Sequence, residues 1–563
     1  FNQTNPAAIT NNARTLPPVG LDSAPGGGLR VVDGEGITLL GGDINVENGG
    51  ISALGGRIEL GGLSEPGRVV LNADSSLEFP EDVARSNVWV ANGSRVSASD
   101  FTISGGSVTV TANELDIIND SRLSAGTVGE AEFVAGQAGD ITLSANRIRL
   151  VNAVLDNIVR ASRSDGGDVL LLSDELSISD RSIVQSTLLG EGRAGKVRIE
   201  TRDRTTIDGS LISSGLGGGD RKLIAAGSAG NIEIETSSLL LTNQARLQAN
   251  TIGKGNAGNV IIDASQSVAI ESESRIFSDV STNFAGNPAV GDGGDIQITT
   301  PVLSLTNASA LSSRTDGQGN GGDIQIVADS LSLTGQSRLS TDSSGRGDAG
   351  NVTLEIQDLA IFDRSYIFSN MSPLSENAAQ PDNTDDIRSA GSIQIAAGSL
   401  DLMNGAQFQS TTDGRGDAGN VTIQAQDRIS IEGVDPDIPS IATTIFAITR
   451  EGAQGRGGNV NMTADLIRLI DNGLVSTTTD NRFAGGSVTA QANTLELIGG
   501  GRILTRTGGD GRAGDINLDI TDSTILSGDN TFKIGDDPSF FSGLFASTTR
   551  PSAGSGGTVR LST

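Results

Sequence analysis

The chain has 563 residues, a formal net charge of −29, and neither cysteine nor histidine. This composition excludes disulfides, Cys/His zinc sites, haem histidine ligands and every catalytic arrangement that needs a histidine base. The acidic balance disfavours nucleic acid and anionic lipid as partners. No apolar run reaches the roughly 18 residues needed to span a membrane as a helix, so we expect no membrane span.

The chain divides into three regions of different regularity. Residues 1–28 are polar and rich in Pro and Gly, and their apolar residues do not alternate. Residues 29–105 contain strand-like runs of uneven spacing, which we interpret as irregular early coils of a repeat fold. Residues 106–563 carry a regular repeat.

The repeat is marked by a short anchor that recurs fifteen times: a small residue, a glycine, a polar residue, then alternating Val, Ile or Leu. From Gly106 to Gly557 the second glycines of the anchors define fourteen intervals, of which eight are 28 residues and none is shorter. A fixed minimum with occasional additions is typical of a structural coil that accepts inserted loops. The insertions, rich in Pro, Asp and Asn, predict surface loops at the coil corners. They lie near residues 283–292, 371–388, 433–440 and 533–555.

Each coil contains three short runs in which apolar and polar residues alternate, as in residues 323–328, 330–335 and 337–343. Alternation with β-branched residues predicts strands, and no segment has a convincing helical period. Such short strands bury their apolar face only when successive coils stack in parallel. The sequence therefore predicts an all-β fold, a parallel β-helix (solenoid) with three-strand coils.

The residue after the second glycine of the anchor is Asn or Asp in ten of the fifteen repeats. Stacked coils would align these side chains in a ladder, with amide hydrogen bonds where Asn follows Asn. The glycine itself predicts a corner at which a side chain would meet the neighbouring coil. Asp295 would stack on Asp323, where like charges repel; such a pair either recruits a cation or points into water, and we prefer water.

From about residue 29 to its end the chain resembles secreted exoproteins of two-partner secretion systems, the filamentous haemagglutinin-like family, in particular large cyanobacterial members. The resemblance is carried by LLGGDINVENGGISALGGRIELGGL (39–63), LSLTNASALSSRTDGQGNGGDIQIVA (303–328) and LDLMNGAQFQSTTDGRGDAGNVTIQA (400–425). It implies a right-handed parallel β-helix, export through an outer-membrane transporter, and display or release at the cell surface. The amino-terminal secretion domain of that family is not visible, so the chain resembles the passenger region beyond it.

We therefore expect a non-enzymatic rod, secreted or at the cell surface, that forms extracellular fibres or a surface layer or acts in adhesion and cell–cell contact. Absence of cysteine suits export through a narrow pore. Surface polysaccharide and other cells are the expected contacts. The last anchor leaves room for one strand of a new coil before Thr563, which predicts either a capping segment or head-to-tail self-association.

The alternative is a β-helix protein that binds or degrades polysaccharide, which for hydrolysis needs paired carboxylates on one face. The two aromatic candidates for a sugar platform, Trp89 and Tyr366, are far apart in sequence. No cluster in the sequence combines acids with a basic and an aromatic residue. We therefore expect no catalytic residues. The candidate acids are Asp382, Asp385, Asp386, Asp435 and Asp437.

A hard cation with oxygen ligands is the only kind of metal that this composition permits; calcium is the candidate, and we expect no other cofactor. Candidate ligands stand in Gly/Asp-rich turns, for which solvent-exposed turns are the simpler interpretation. These candidates are Asp292, Asp295, Asp323, Asp413 and Asp417.

Two further patterns are interpreted as structural. The RGD tripeptides at 346–348 and 415–417 fall at the same corner of the repeat, so we interpret them as variants of its turn rather than integrin ligands. Five phenylalanines in or beside strands predict interior stacks rather than a binding stripe. They are Phe277, Phe368, Phe408, Phe446 and Phe545.

Overall fold

The computed structural model is an all-β parallel β-helix, as predicted. It describes residues 6–13, 28–73, 76–80, 82–99, 105–127, 135–160, 163–217, 225–281, 289–372, 387–529, 541–549 and 552–562. Within these ranges there are 45 strands and no helix, and accordingly no helix that is long and apolar enough to cross a membrane. Contacts divide the chain into two compact units, residues 1–265 and 266–563, and the boundary falls within β27 (Val260–Ile270).

The first unit contains twenty-six complete strands in its described part. They are β1 Ile9–Asn11, β2 Leu29–Arg30, β3 Ile37–Gly41, β4 Ile44–Glu47, β5 Gly50–Ser52, β6 Arg57–Gly62, β7 Val70–Leu71, β8 Leu77–Glu78, β9 Val88–Ala91, β10 Arg95–Ser97, β11 Ser107–Thr111, β12 Glu114–Thr127, β13 Ala135–Gln137, β14 Ile141–Ser144, β15 Arg147–Val159, β16 Arg163–Asp165, β17 Val169–Ser179, β18 Ile183–Leu188, β19 Glu191–Arg193, β20 Val197–Asp208, β21 Leu211–Ser213, β22 Leu216–Gly217, β23 Ala226–Ser228, β24 Ile232–Thr242, β25 Arg246–Gln248 and β26 Thr251–Ile252.

The second unit contains eighteen complete strands in its described part. They are β28 Arg275–Phe277, β29 Ile296–Leu305, β30 Ala310–Ser312, β31 Ile324–Thr334, β32 Arg338–Ser340, β33 Val352–Asp363, β34 Tyr366–Phe368, β35 Ile393–Met403, β36 Gln407–Thr412, β37 Val421–Glu432, β38 Thr444–Thr449, β39 Val460–Ile470, β40 Leu474–Ser476, β41 Val488–Ile498, β42 Arg502–Thr507, β43 Ile516–Ser527, β44 Gly543–Thr548 and β45 Val559–Ser562.

The strand register reproduces the sequence repeat. Ile324 lies opposite Val352 across a parallel pair, 28 residues further on, and Ile393 lies opposite Val421 at the same interval. Where a loop is inserted the register is kept and only the interval grows, as from Val352 to Ile393. In the coil that begins at Asp323 the first two runs join into one bent strand, β31, and the third forms a separate short strand, β32.

Parallel stacking buries the apolar half of each alternating run. In β31 five apolar residues are buried, whereas the residues that alternate with them face outward. The buried residues are Ile324, Ile326, Ala328, Leu331 and Leu333. Phe362 and Phe408 fill the interior of neighbouring coils, with ring centroids 4.8 Å apart and planes at 86°. The edge-to-face contact is the arrangement that aromatic pairs favour in a packed core.

The corner glycine is required by the distance between coils. A Cβ placed on Gly419 would lie 2.0 Å from the carbonyl oxygen of Gly391, and one on Gly391 would lie 1.9 Å from that of Gly350. These separations are far below van der Waals contact, so the backbones approach too closely for any side chain. The prediction that this glycine marks a corner at which a side chain would meet the neighbouring coil is therefore confirmed.

The amino-terminal part of the first unit has coils of uneven length: Ile58 lies opposite Ile37, 21 residues earlier, and opposite Val108, 50 residues later. β1 lies within residues 1–28 and pairs in parallel with β4, so a short strand forms inside the Pro/Gly-rich segment. Between β6 and β9 the chain leaves the coil: β7 and β8 form an antiparallel pair, and Leu63 bridges Arg85. This excursion, residues 63–86, forms one wall of a groove described below.

Candidate binding site

The Asn and Asp residues of the corner form a ladder that joins each coil to the next. The Oδ1 atom of Asp323 accepts the backbone N–H of Asn351 at 2.7 Å, and Oδ1 of Asn420 accepts that of Asn459 at 2.8 Å. Asn459 Nδ2 also donates to Asn420 Oδ1 at 3.2 Å, the amide contact expected where Asn follows Asn. The main contact, however, is from side chain to backbone, which explains why Asp, Asn and Ser all serve at this position.

A second ladder runs three residues before the first, on the other side of the small-residue–glycine pair. Asp292 Oδ1 accepts the N–H of Asn320 at 2.8 Å, and Asp417 Oδ1 accepts the N–H of Arg456 at 2.7 Å. Asp348, the last residue of the first RGD tripeptide, accepts the N–H of Ser389 at 2.7 Å. Both RGD aspartates thus hold the corner of the coil, in agreement with their structural interpretation.

The calcium candidates do not converge. Asp295 Oδ1 accepts the N–H of Asp323 at 2.9 Å, so the stacked pair uses one carboxylate to hold the next coil's backbone. Asp413 pairs instead with Arg450 at 3.5 Å. Among the described residues no group of three or more acids lies close enough to hold a metal ion. A carboxylate committed to a backbone N–H does not provide the multidentate oxygen cage that calcium requires.

Three successive third strands of the second unit, β34, β36 and β38, carry aromatic and amide side chains on their outer side. The second residue of each of these strands is fully buried, so its neighbours point to the opposite side. Tyr366 and Phe368 flank Ile367, and Gln407 and Gln409 flank Phe408. Tyr366 lies opposite Gln407, and Phe368 lies opposite Gln409, in neighbouring coils.

The binding face is defined as Tyr366, Phe368, Gln407, Gln409 and Phe446. The rings of Tyr366 and Phe368 are nearly parallel, with centroids 5.4 Å apart and planes at 16°. Gln409 Nε2 donates to Gln407 Oε1 at 2.6 Å, and Phe446 lies opposite Gln409 in the next coil. All five side chains are half-buried, so the face combines a fixed aromatic surface with oriented amide groups.

The phenylalanine prediction was therefore largely wrong. Phe408 is an interior residue, as expected, but Phe277, Phe368 and Phe446 lie on the outward side of their strands, and Phe545 is 38% exposed. For Phe277, Phe368 and Phe446 the reason is strand parity: each neighbours a buried isoleucine and consequently points to the opposite side.

The loop at 433–440 borders the binding face. Asp435 is buried, and its Oδ1 accepts the N–H groups of Asp437 and Ile438 at 2.8 and 3.1 Å. Asp435 Oδ2 lies 3.7 Å from Arg364 Nε, and Asp437 forms a second ion pair with the same guanidinium. Arg364 precedes Tyr366 by two residues, so these contacts fix the loop beside the aromatic pair.

Burial raises the pKa of Tyr366, and the negative charge of Asp435 raises it further. The phenol therefore stays protonated and can donate as well as accept a hydrogen bond. The structure thus brings two of the candidate acids, Asp435 and Asp437, together with a basic and an aromatic residue. The expectation that no such cluster exists was wrong, because an insertion folds back onto a strand that precedes it by some seventy residues. Asp382, Asp385 and Asp386 lie outside the described residues.

Two open polar grooves, of about 890 and 1060 Å³, lie among the described residues of the first unit. In the smaller groove, which the 63–86 excursion borders, Arg202 pairs with Asp174 at 2.7 Å and Arg85 donates to Ser144 at 3.4 Å. Trp89, the other aromatic candidate, does not line either groove; its Nε1 donates to Asp116 Oδ2 at 3.1 Å.

Comparisons with protein-family models, curated proteins and solved structures gave no match for this chain. The case for a function therefore depends on the chain's own residues. The signal that identifies the binding face was present in the sequence: aromatic residues at Tyr366 and Phe368 flank a buried Ile367, the pattern of an outward pair on one strand.

Proposed function

We propose that the protein is a non-enzymatic extracellular protein, secreted or held at the cell surface, that acts in adhesion and cell–cell contact or in a surface layer or fibre. An outer-membrane transporter of a two-partner system is the proposed export partner. The observation that carries the proposal is the binding face, a stacked aromatic pair beside oriented amides on the outer side of the coils. The corner acids Asp348 and Asp417 are committed to backbone hydrogen bonds instead.

The composition supports the same function. A chain without cysteine forms no disulfide that would hinder threading through a pore, and a net charge of −29 favours solubility outside the cell. The coils differ mainly in their inserted loops. We therefore expect binding specificity to lie in loops such as 433–440, while the repeated coils provide a uniform scaffold.

A deletion strain of the producing organism tests this function. We expect loss of the gene to reduce attachment between cells, or of cells to a surface, and re-expression of the full chain to restore it. Unchanged attachment together with an unchanged cell surface by electron microscopy would contradict the proposal.

The alternative function, degradation of polysaccharide, is favoured by one observation, the cluster of Arg364, Tyr366, Asp435 and Asp437. Against it, the Asp435 carboxylate already accepts two backbone N–H groups and pairs with Arg364. A general acid or base needs a carboxylate that reaches the substrate. Release of reducing sugar or unsaturated product from a panel of polysaccharides, abolished by Asp437→Asn, would establish the enzymatic alternative.

A further inference from the structure

The binding face has the chemistry of a site for sugar rings. A pyranose has an apolar side of C–H groups, which packs on an aromatic ring, and a rim of hydroxyls, which needs hydrogen-bond partners. Tyr366 and Phe368 provide one rigid apolar surface, because their rings are nearly parallel and only 5.4 Å apart at their centroids. Rings fixed by strand geometry lose little entropy when a ligand packs on them.

The polar groups that hydroxyls require lie in the neighbouring coil. The hydrogen bond from Gln409 to Gln407 uses one N–H of the first amide and one lone pair of the second. Each amide has two donors and two lone pairs, so further donors and acceptors are available in a fixed orientation. Asp437, which is 70% exposed, adds carboxylate oxygens at the border of the face.

The dimensions favour an extended chain of sugars over a single sugar. Phe446 lies two coils beyond Phe368 in the same column, which at about 4.8 Å per coil places it roughly 10 Å away. A linear glycan that lies along the coil-stacking direction would contact Phe368, pass the two glutamines and reach Phe446.

The net charge of the protein favours neutral glycans over anionic polymers as ligands. With a net charge of −29 the protein repels anionic polysaccharides and nucleic acids, although bases would also stack on aromatic rings. Beside the face, the single positive charge of Arg364 is paired with the two carboxylates of Asp435 and Asp437, so this cluster carries a net charge of −1 and also repels an anionic glycan. A neutral glycan has no charge to be repelled.

We propose that Tyr366, Phe368, Gln407, Gln409 and Phe446 form a binding site for a neutral linear polysaccharide. This inference deepens the proposed adhesive function by naming the class of ligand, and it rests on that function only for its biological setting. The purified full chain can bind or fail to bind glycan independently of where the protein acts.

Affinity gel electrophoresis of the full chain tests the site. Gels contain hydroxyethyl cellulose, a soluble β-glucan, galactomannan or, as the anionic comparison, alginate. We expect at least one neutral glycan to retard the wild-type chain, and alginate not to. Tyr366→Ala and Phe368→Ala should each weaken binding at least tenfold, whereas Tyr366→Phe, which keeps the ring, should retain most of it.

Phe277→Ala is the matched control. Phe277 is a half-buried outward phenylalanine in the same column, but Ser312 and Ser340 separate it from Phe368. Its loss should leave retardation unchanged. Circular dichroism and the melting temperature of each variant separate lost binding from lost folding.

The inference is overturned if no neutral glycan retards the wild-type chain, if alginate alone does, or if both alanine variants bind as well as the wild type. It is also overturned if sedimentation velocity shows self-association that Tyr366→Ala abolishes, because the face would then bind a second copy of the chain. Failure of glycan binding in a protein still needed for attachment would remove this inference and leave the proposed function standing.

Discussion

At the residue scale, a small set of side chains joins successive coils at their corners, where they form hydrogen bonds with backbone groups that have no strand partner. The corner glycine has no side chain, so the backbone of the neighbouring coil can approach it closely. The side chain of the residue after this glycine accepts a hydrogen bond from a backbone N–H of the next coil. Serine and threonine hydroxyls do similar work inside the coil: Ser410 donates to the carbonyl of Gly391 at 2.8 Å, and Thr505 to that of Gly514 at 2.7 Å. Buried backbone groups at bends therefore have partners, as a folded interior requires.

The ladder makes a prediction about a single backbone amide. In Asn420→Ala the N–H of Asn459 loses its acceptor, so its hydrogen exchange should accelerate about tenfold, equivalent to about 1.4 kcal/mol. Asn420→Asp keeps the acceptor oxygen and should retain protection. Equal protection of this amide in both variants would show that the ladder contributes nothing.

The corner glycine makes a prediction about global stability. Gly419→Ala places a Cβ 2.0 Å from a carbonyl oxygen, so the coils must separate locally. We expect a loss of about 2–4 kcal/mol in the free energy of unfolding, measured by urea titration. Ala418→Ser is the control at the preceding position, which already carries a Cβ. A midpoint unchanged by Gly419→Ala would contradict the packing described for the corner.

A buried acid predicts how stability changes with pH. Asp279 accepts hydrogen bonds from Ser312 Oγ and the Arg314 backbone N–H, and burial raises its pKa from 3.8 to about 6 despite the nearby Arg314 side chain; Asp316 raises it further. The folded state holds this proton more tightly than the unfolded chain does. The contribution of Asp279 therefore lowers stability as pH rises from about 4 to about 6.

Asp279→Asn removes this effect while keeping an acceptor oxygen. We expect the variant to exceed the wild type in unfolding free energy at pH 8, by on the order of 2 kcal/mol, and to match it near pH 4. Asparagine is already accepted in this column, where Asn370 Oδ1 accepts the N–H of Thr411 at 3.0 Å. A difference between the two proteins that does not change with pH would refute the assignment.

At the element scale, the coil is the unit of the fold, and the sequence contains most of the information that specifies it. The interval between anchor glycines equals the strand register, because each coil must bring the same residues above one another. The alternation of Ile324, Ile326, Leu331 and Leu333 likewise predicts which side is buried. Strand limits were less predictable, since two runs continue through a bend as one strand in β31.

The binding face was harder to predict, for two physical reasons. Hydrophobicity alone assigns an aromatic residue to the interior, whereas strand parity, with Ile367 buried, places Tyr366 and Phe368 outside. In addition, the contact of Arg364 with Asp435 and Asp437 joins residues in different coils through an inserted loop. No periodic signal specifies how such an insertion folds.

The coil predicts which deletions the chain tolerates. Removal of residues 323–350, one full 28-residue interval, joins Gly322 to Asn351 at equivalent positions and preserves register. We expect this protein to be soluble, with an unchanged β-type circular dichroism spectrum, because each coil contacts only its neighbours. Removal of residues 323–336, half as many, deletes β31, so β32 would follow the anchor glycine directly and the coil could not close; this protein should aggregate. Equal behaviour of the two deletions would contradict the coil as the unit of folding.

At the scale of the whole molecule, the chain is a series of similar coils with an unusual composition. Neither disulfides nor histidine contribute, the net charge is strongly negative, and differences between coils are concentrated in insertions. A protein built in this way presents a repeated support for a few specific contacts. The proposed extracellular adhesive role follows from that arrangement together with the aromatic–amide face.

Immunogold electron microscopy of intact producing cells, with an antibody raised against the full chain, tests the central claim most directly. The account predicts gold on the outer surface or on extracellular material, absent from a deletion strain and accessible without permeabilising the cells. Label confined to the cytoplasm of sectioned cells, with none on intact cells or in the medium, would contradict it.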